Sequence, residues 1–281
     1  MKTGVILSTY NSPEWLTKVL WGYEQQADQD FELIIADDGS DTATAEVIDR
    51  FQRRGQLTLR HVWHEDRGFR KCAILNKAIM TGDCDYLIFT DGDCIPRSDF
   101  VSKHKSHARP GRFLAASCQR LSLPVSHAIT HWDIMSGRAF SGLWLHQQGQ
   151  PSSLRQVRLF LSGWMAEPLN RITHNTVSFR GGNSSVWRSD IVRVNGFDER
   201  MEYGGEDTEF GYRLFNAGIR PLRIPYSAIC LHLEHSRGYV LPEVREVNLR
   251  ILRDTIDQRI DWTPHGICKG DRASSVLSRV A

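Results

Sequence analysis

The sequence predicts an α/β fold: a mostly parallel central sheet with helices on its faces. Two observations carry this. Short apolar runs at 4–7, 31–36, 57–62 and 86–90 alternate with longer stretches whose apolar residues recur at helical spacing, such as Trp15, Val19, Leu20 and Tyr23. The runs also give way to polar residues, and in open parallel sheets ligands gather outside the carboxyl ends of the strands.

At 281 residues, 41% hydrophobic and 24% charged, the chain has material for one continuous domain. A net charge of +2 without a long Lys/Arg block argues against a nucleic-acid partner. Cys72, Cys84, Cys94, Cys118, Cys230 and Cys268 form no C-x-x-C pair and no disulfide spacing, so reduced thiols in a cytoplasmic protein are expected. The first apolar run reaches Ser8 and Asn11 too soon for a signal peptide, and no stretch approaches the ~18 apolar residues of a spanning helix. Any membrane contact would be peripheral, at the inner face.

The elements follow in order. The first strand runs into Thr9, Tyr10 and Asn11, and Pro13 starts a helix that Ser12 or Asn11 is placed to cap. The second strand ends in Asp37-Asp38-Gly39-Ser40, and Asp41 or Thr42 can cap the helix bearing Val47, Ile48 and Phe51. The run at 86–90 ends in Asp91-Gly92-Asp93. From 136 to 172 the pattern breaks into Trp, Arg, Gln and Ser; regular apolar segments resume near Val177 and continue through Leu231. A charged amphipathic helix is expected at about 245–260, with Val247, Leu249, Ile251, Leu252 and Ile256 available for one face. Beyond Asp261 little order is expected.

Asp91 and Asp93, separated by a glycine at a strand end, can converge on one point. Hard divalent cations take one or two carboxylates together with phosphate oxygens, so the pair suits Mg²⁺ or Mn²⁺ on a diphosphate. A solvated acidic turn is the plainer reading. Asp37 and Asp38 form a second acidic cluster on the same sheet edge, where a carboxylate can accept from a nucleobase N–H; a turn and helix cap would use the same residues without a ligand. Arg70 or Lys71, at a helix start, could meet phosphate through charge and backbone N–H groups.

Thr9-Tyr10-Asn11, Asp37-Asp38-Gly39-Ser40 and Asp91-Gly92-Asp93, in that order, resemble the family 2 glycosyltransferases of GT-A fold. The stretch from Asp66 to Ala78 looks like that family's G-x-x-x-A-x-N-x-A segment. Gly181-Gly182-Asn183, Asn195-Gly196-Phe197 and Gly204-Gly205-Glu206-Asp207 resemble the carboxy-terminal module shared by galactosyltransferases and chondroitin-type polymerases.

The resemblance implies a Rossmann-like GT-A domain over 1–240: a nucleotide-binding half at 1–125, a helical insertion at 136–172 and an acceptor half at 173–240, followed by a helix and tail at 241–281. It implies a UDP-sugar donor, with Asp38 on a uracil, Asp37 nearby and Thr9 lining the base pocket. Asp93 would be the direct ligand of Mn²⁺ or Mg²⁺, with Asp91 beside the ion or on the ribose and donor sugar. His235, in a His-Ser-Arg context, would complete the metal shell, with His232 as its competitor. Asp207 would be the general base for an acceptor hydroxyl on a saccharide or glycolipid, inverting the anomeric centre; Glu206 would orient the acceptor or the loop, and the two could exchange roles. Acids in a first helical turn are also favoured without catalysis. Gly92 would sit within the metal motif, and Gly181-Gly182 and Gly204-Gly205 would let backbone approach the sugars, or simply make tight turns.

The 136–172 segment carries Phe140, Trp144, Phe160 and Trp164 with Arg138, Arg155, Arg158 and Arg171. Aromatics and arginines suit an acceptor lid near a membrane as well as a packed helical insertion. Two other functions are weighed. A nucleotidyltransferase would carry a glycine-rich basic loop after the first strand, where this chain has Ser8-Thr9-Tyr10-Asn11; a carbohydrate-binding protein would not need two acidic sites.

Overall fold

The computed structural model describes residues 1–161, 165–235, 242–270 and 272. Trp164, Ser236, Arg237, the tail beyond Gly270 apart from Arg272, and the side chain of Arg155 lie outside the described residues.

The strands are β1 (Thr3–Thr9), β2 (Glu32–Asp37), β3 (Leu59–Trp63), β4 (Tyr86–Asp91), β5 (Cys94–Pro96), β6 (Arg112–Ala115), β7 (Ser117–Arg120), β8 (Ser184–Trp187), β9 (Arg220–Arg223) and β10 (Ile229–His232). Seven form the central sheet in the order β3-β2-β1-β4-β8-β6-β9, and β5-β10-β7 form a second, small sheet. The pairs among β1 to β4 are parallel; β8 runs antiparallel to both β4 and β6. The fold is therefore the expected α/β architecture with a mostly parallel sheet.

Strand alternation sorts the apolar residues onto two faces. Val5 and Leu7, Leu33 and Ile35, and Tyr86 and Ile88 join one core; Ile6, Ile34, Leu87 and Phe89 join the other. The helices Pro13–Glu24 and Thr42–Arg54 cover the first face, while Lys71–Thr81 and Glu206–Asn216 cover the second. Register then sets the site. Ser8 pairs with Asp91 and Thr9 with Asp37, so three polar strand ends lie side by side.

Asn183 joins the two sheets. Its buried amide donates to the carbonyls of Ser117 at 3.0 Å and Ala228 at 2.8 Å, and its oxygen faces His104 Nε2 at 3.0 Å. The helix Glu206–Asn216 is pinned by the fully buried Arg213, whose guanidinium meets Glu209 through two contacts of 2.7 and 2.8 Å and donates to the carbonyls of Val194 and Gly196. Those added bonds offset the cost of taking both charges out of water.

Several local expectations are corrected. Ser12 stands at the start of the first helix but makes no side-chain cap; its hydroxyl donates to Tyr10 O, while Asn11 Oδ1 accepts from Asp41 N at 2.8 Å and ties two loops together. Asp41 does cap the second helix, accepting from Thr44 N at 3.3 Å. The last helix, Pro242–Asp257, leaves Val247, Leu249 and Ile256 exposed and buries Asn248 and Thr255. Of the expected apolar face Ile251 packs against the second core, and the buried anchors are polar: the Asn248 amide donates to the carbonyls of Glu202, Tyr203 and Gly204, and the Thr255 hydroxyl donates to Glu209.

Residues 261–270 are also ordered, contrary to expectation. Asn195 Nδ2 donates to Thr263 O and Cys268 O, each at 2.7 Å, and the Thr263 hydroxyl donates to Asp198 at 2.6 Å. Within 136–172, Trp144 is a core residue with Arg138 over its ring, and the Phe160 ring packs on Gly142, where an added Cβ would come within 2.6 Å of it. Among the described residues no helix is long and apolar enough to cross a membrane.

Candidate active site

A cavity of about 1620 Å³ opens at the carboxyl ends of β1, β2 and β4. One side is lined by Thr9, Tyr10, Asn11 and Asp38, the middle by Lys71, Asp91, Gly92 and Asp93, and the far side by Gly181, Gly182, Glu206 and Asp207, with His232 and His235 bordering it. Asp37, Arg70, Gly204 and Gly205 do not line it. Asp37 is fully buried and bonds Ser40 N at 2.8 Å and His61 Nε2 at 2.9 Å, so it shapes the turn. Arg70 uses its backbone N–H, which donates to Asp38 Oδ2 at 2.9 Å, and its guanidinium is not part of the wall.

The turn after β4 is tight. Gly92 N donates to Ser8 O at 2.7 Å, and an added Cβ at Gly92 would stand 2.9 Å from Thr9 Oγ1. Thr9 Oγ1 itself is buried and without a partner among the described residues. Tyr10 is half exposed, with its hydroxyl donating to Asp66 at 2.9 Å.

Asp91 is fixed from two sides, accepting the Ser8 hydroxyl at 2.6 Å and facing Lys71 Nζ at 2.7 Å on the same oxygen. Its other oxygen would lie 2.9 Å from a Cβ at Gly182, so that position cannot carry a side chain without moving the carboxylate. Asp93 Oδ2 lies 3.0 Å from His235 Nε2 and 3.6 Å from His232 Nε2, and the two rings stack at 5.9 Å. His232 Nδ1 is buried and bonds nothing among the described residues. Asp93 thus faces both imidazoles, and Asp93, His232 and Cys94 each place a donor atom within 4.8 Å of the others, a set that could hold a divalent cation.

The electrostatics differ from acid to acid. Burial raises the pKa of Asp38, although the Arg70 N–H and His64, 2.7 Å away, act against it. At Asp93 burial is outweighed by the His235 hydrogen bond and the nearby His232, and the pKa falls. Burial lowers the proton affinity of Lys71, but Asp91, Glu206 and Asp207 more than reverse this and hold it protonated. Glu206 is pushed up by burial and by Asp207, with Lys71 opposing.

Glu206 and Asp207 open the helix Glu206–Asn216. Glu206 accepts from Gly204 N at 2.9 Å, and Asp207 accepts from Gly181 N at 3.1 Å and Thr208 N at 2.7 Å. Gly204 and Gly205, at φ of 105° and 95°, supply the left-handed turn that swings this helix start into the cavity.

The sequence reading missed Ser8, His61 and His64. His64 follows the same rule that exposed the acids, since it comes directly after the third parallel strand at the same edge, whereas His61 lies within that strand opposite Ile35. It also missed the floor of the cavity, where Cys118, Gln119 and Arg120 of β7 lie beside His232. Cys118 Sγ takes a hydrogen bond from Cys230, 2.8 Å away, which with the neighbouring Cys94 thiol holds its pKa well below the usual thiol value.

Residues 4–176 match glycosyl transferase family 2, and residues 165–236 match the N-terminal domain of galactosyltransferase. Among curated relatives, validoxylamine A glucosyltransferase of Streptomyces hygroscopicus subsp. limoneus is 27% identical over 241 residues, covering 84% of this chain and 52% of the relative. Chondroitin synthase of Escherichia coli is 26% identical over 223 residues, covering 76% of this chain and 32% of the synthase. The chain thus spans about half of the first and a third of the second. Among solved structures, residues 1–349 of S. aureus TarS in complex with UDP-GlcNAc superpose with a TM-score of 0.61 at 16% identity, covering 90% of this chain and 65% of TarS. That likeness is one of fold.

Proposed function

This chain belongs to glycosyl transferase family 2, and from that premise we propose that it moves a hexose or N-acetylhexosamine from a UDP-sugar to a hydroxyl of a saccharide or glycolipid acceptor, inverting the anomeric carbon. The observation that carries the reading is that one cavity is lined both by the Asp93, His235 and His232 set and by the Asp207 and Glu206 pair, with Lys71 between them. The UDP-GlcNAc bound by TarS and the glucosyl and chondroitin products named for the relatives support a nucleotide-sugar donor and a saccharide acceptor.

In this reading Thr9, Tyr10, Asn11 and Asp38 form the nucleoside wall. Asp38 keeps lone pairs for a base N–H beside the bonds it makes to His64 and Arg70, and Thr9 lines the pocket with its Oγ1 buried against the Gly92 turn. Asp93, His235 and His232, with Asp91 beside them, would hold a divalent cation, Mn²⁺ before Mg²⁺ given the imidazoles, which when bound neutralises charge on the departing diphosphate. Lys71 adds a fixed positive charge next to that diphosphate, already desolvated and oriented by Asp91.

Asp207 takes the proton of the acceptor hydroxyl as it attacks. The N–H groups of Gly181 and Thr208 hold the carboxylate in place and leave it lone pairs for that proton. Glu206, more buried and with its pKa raised by that burial, orients the Gly204–Gly205 turn through Gly204 N. Exposed Trp132, Leu143, Phe160 and Ile172 on the short helices between 123 and 172 support peripheral contact with a lipid-linked acceptor.

The reading is tested by incubating the protein and Mn²⁺ with a panel of UDP-sugars and saccharide acceptors and following UDP release, with the anomeric configuration of the product read by NMR. Transfer with inversion from at least one UDP-sugar is expected. Product of retained configuration, or transfer that is indifferent to Asp207→Asn, would contradict it.

A further inference from the structure

Three thiols meet beneath the cavity, and the sheet register shows why. On β10, Cys230 and His232 are two residues apart and so point to the same face. Cys118 on β7 is the Cα partner of Cys230, and Cys94 on β5 is the partner of His232. These four side chains form one patch on the three-stranded sheet. The sulfurs of Cys94, Cys118 and Cys230 all lie within 4.8 Å of one another, and His232 lies within the same distance of Cys94.

Buried cysteines commonly serve as small apolar side chains, and Cys94 and Cys230, both wholly buried, do pack in the core. Two facts set this group apart. Cys118 opens onto the cavity, which gives an ion a route in, and His232 Nδ1 is a buried polar atom with no partner among the described residues. A further three cysteines, Cys72, Cys84 and Cys268, are outside the cluster.

We infer that Cys94, Cys118 and Cys230 form a second metal site, a thiolate site for a soft d¹⁰ cation such as Zn²⁺, with His232, within 4.8 Å of Cys94, as a fourth donor that it would share with the set at Asp93. It is chemically distinct from the oxygen and imidazole set at Asp93, although the two share a wall: Cys94 Sγ donates to Asp93 Oδ1 at 3.2 Å. Thiolate selects zinc-like ions, whereas carboxylate and phosphate oxygens select Mn²⁺ or Mg²⁺. At a Zn–S distance of about 2.3 Å, tetrahedral sulfurs stand roughly 3.8 Å apart. The Cys118–Cys230 contact of 2.8 Å therefore opens by about 1 Å on binding, within the reach of χ1 adjustments. Each coordinating thiol releases its proton to solvent, so that no oxidant or reductant is needed.

The test is a Cd²⁺ titration of the intact protein kept reduced with a phosphine, following the ultraviolet thiolate-to-cadmium charge-transfer band. A carboxylate and imidazole site gives no such band. One saturable equivalent is expected, abolished or cut several-fold in Cys118→Ser and in Cys230→Ser, and unchanged in Cys268→Ser; Zn²⁺ should displace the Cd²⁺. Cys118 is the partly exposed member, so its variant keeps the test valid even where Cys230→Ser fails to fold. Absence of the band in the reduced protein, or its survival in folded Cys118→Ser, would overturn the site. Neither nucleotide nor sugar is used, so failure here leaves the proposed transfer untouched, and failure of the transfer leaves this site standing.

Discussion

Lys71 Nζ lies 2.7 Å from Asp91 Oδ1, and the same ammonium is held protonated by Glu206 and Asp207 across the cavity. One cation therefore balances acids from both halves of the site. The two ends of the pair come from a helix start and a strand end twenty positions apart, and they meet because β4 lies beside β1 and Asp91 also takes the Ser8 hydroxyl.

Removing that charge leaves three acids facing one another. Lys71→Met is expected to weaken UDP binding by about tenfold to a hundredfold, the value of one or two charge-assisted hydrogen bonds. Lys71→Arg should recover part of the loss. Titration calorimetry with UDP and Mn²⁺ checks this; equal affinity in Lys71→Met would place the ammonium outside the donor site.

Asp207→Asn keeps one oxygen, enough for the N–H of Thr208 or of Gly181 but not for both, and cannot take a proton. It is expected to lower kcat by ~10²–10⁴-fold with UDP affinity nearly unchanged. Steady-state kinetics beside calorimetry separates the two effects, and a loss of binding without a loss of kcat would reassign the residue.

Glu206 gives a pH signature. Its pKa is raised above the ordinary 4.5, so in the folded protein its ionised form is disfavoured relative to the unfolded chain. The penalty is absent below the ordinary pKa and complete above the raised one. Glu206→Gln should therefore raise Tm at pH 8 while lowering activity, and the gain in Tm should disappear as the pH falls toward 4. A Tm gain independent of pH would mean that ionisation is not its source.

Asp198 works in the opposite direction. Its carboxylate is held at a pKa of about 2, against an ordinary 3.8; burial alone would raise it, but Arg200 and the Thr263 hydroxyl prevail. The difference corresponds to about 2.5 kcal/mol, present above the ordinary pKa and lost as pH falls from near 4 toward 2. Asp198→Asn should lose roughly that much at pH 7 in urea unfolding and little at pH 2. It should also loosen residues 261–270, which hydrogen exchange would report.

What the sequence made legible was whatever lies along one segment. Asp91-Gly92-Asp93 and Asp37-Asp38 could be placed at the ligand edge because a strand ending in acids needs only its own pattern to be seen. Partners across segments were not legible. The turn of Asp37 toward His61, the pairing of Asp38 with His64 and the grip of Lys71 on Asp91 depend on strand order and register. Helix Pro242–Asp257 was legible as an element, and Ile251 of its apolar face does meet the core, but apolar spacing could not show Asn248 and Thr255, which are buried by the loop carbonyls and the carboxylate they meet. The thiol cluster became visible only once β10 was seen to lie between β5 and β7.

The central claim is that Asp93, with His235 and His232, binds the donor diphosphate through a divalent cation. Its most direct test is calorimetry of UDP binding with and without Mn²⁺, comparing the intact protein with Asp93→Ala. The account predicts that UDP binds only when Mn²⁺ is present and that Asp93→Ala abolishes this binding while the protein remains folded. UDP bound equally well without the metal, or by folded Asp93→Ala, would contradict it.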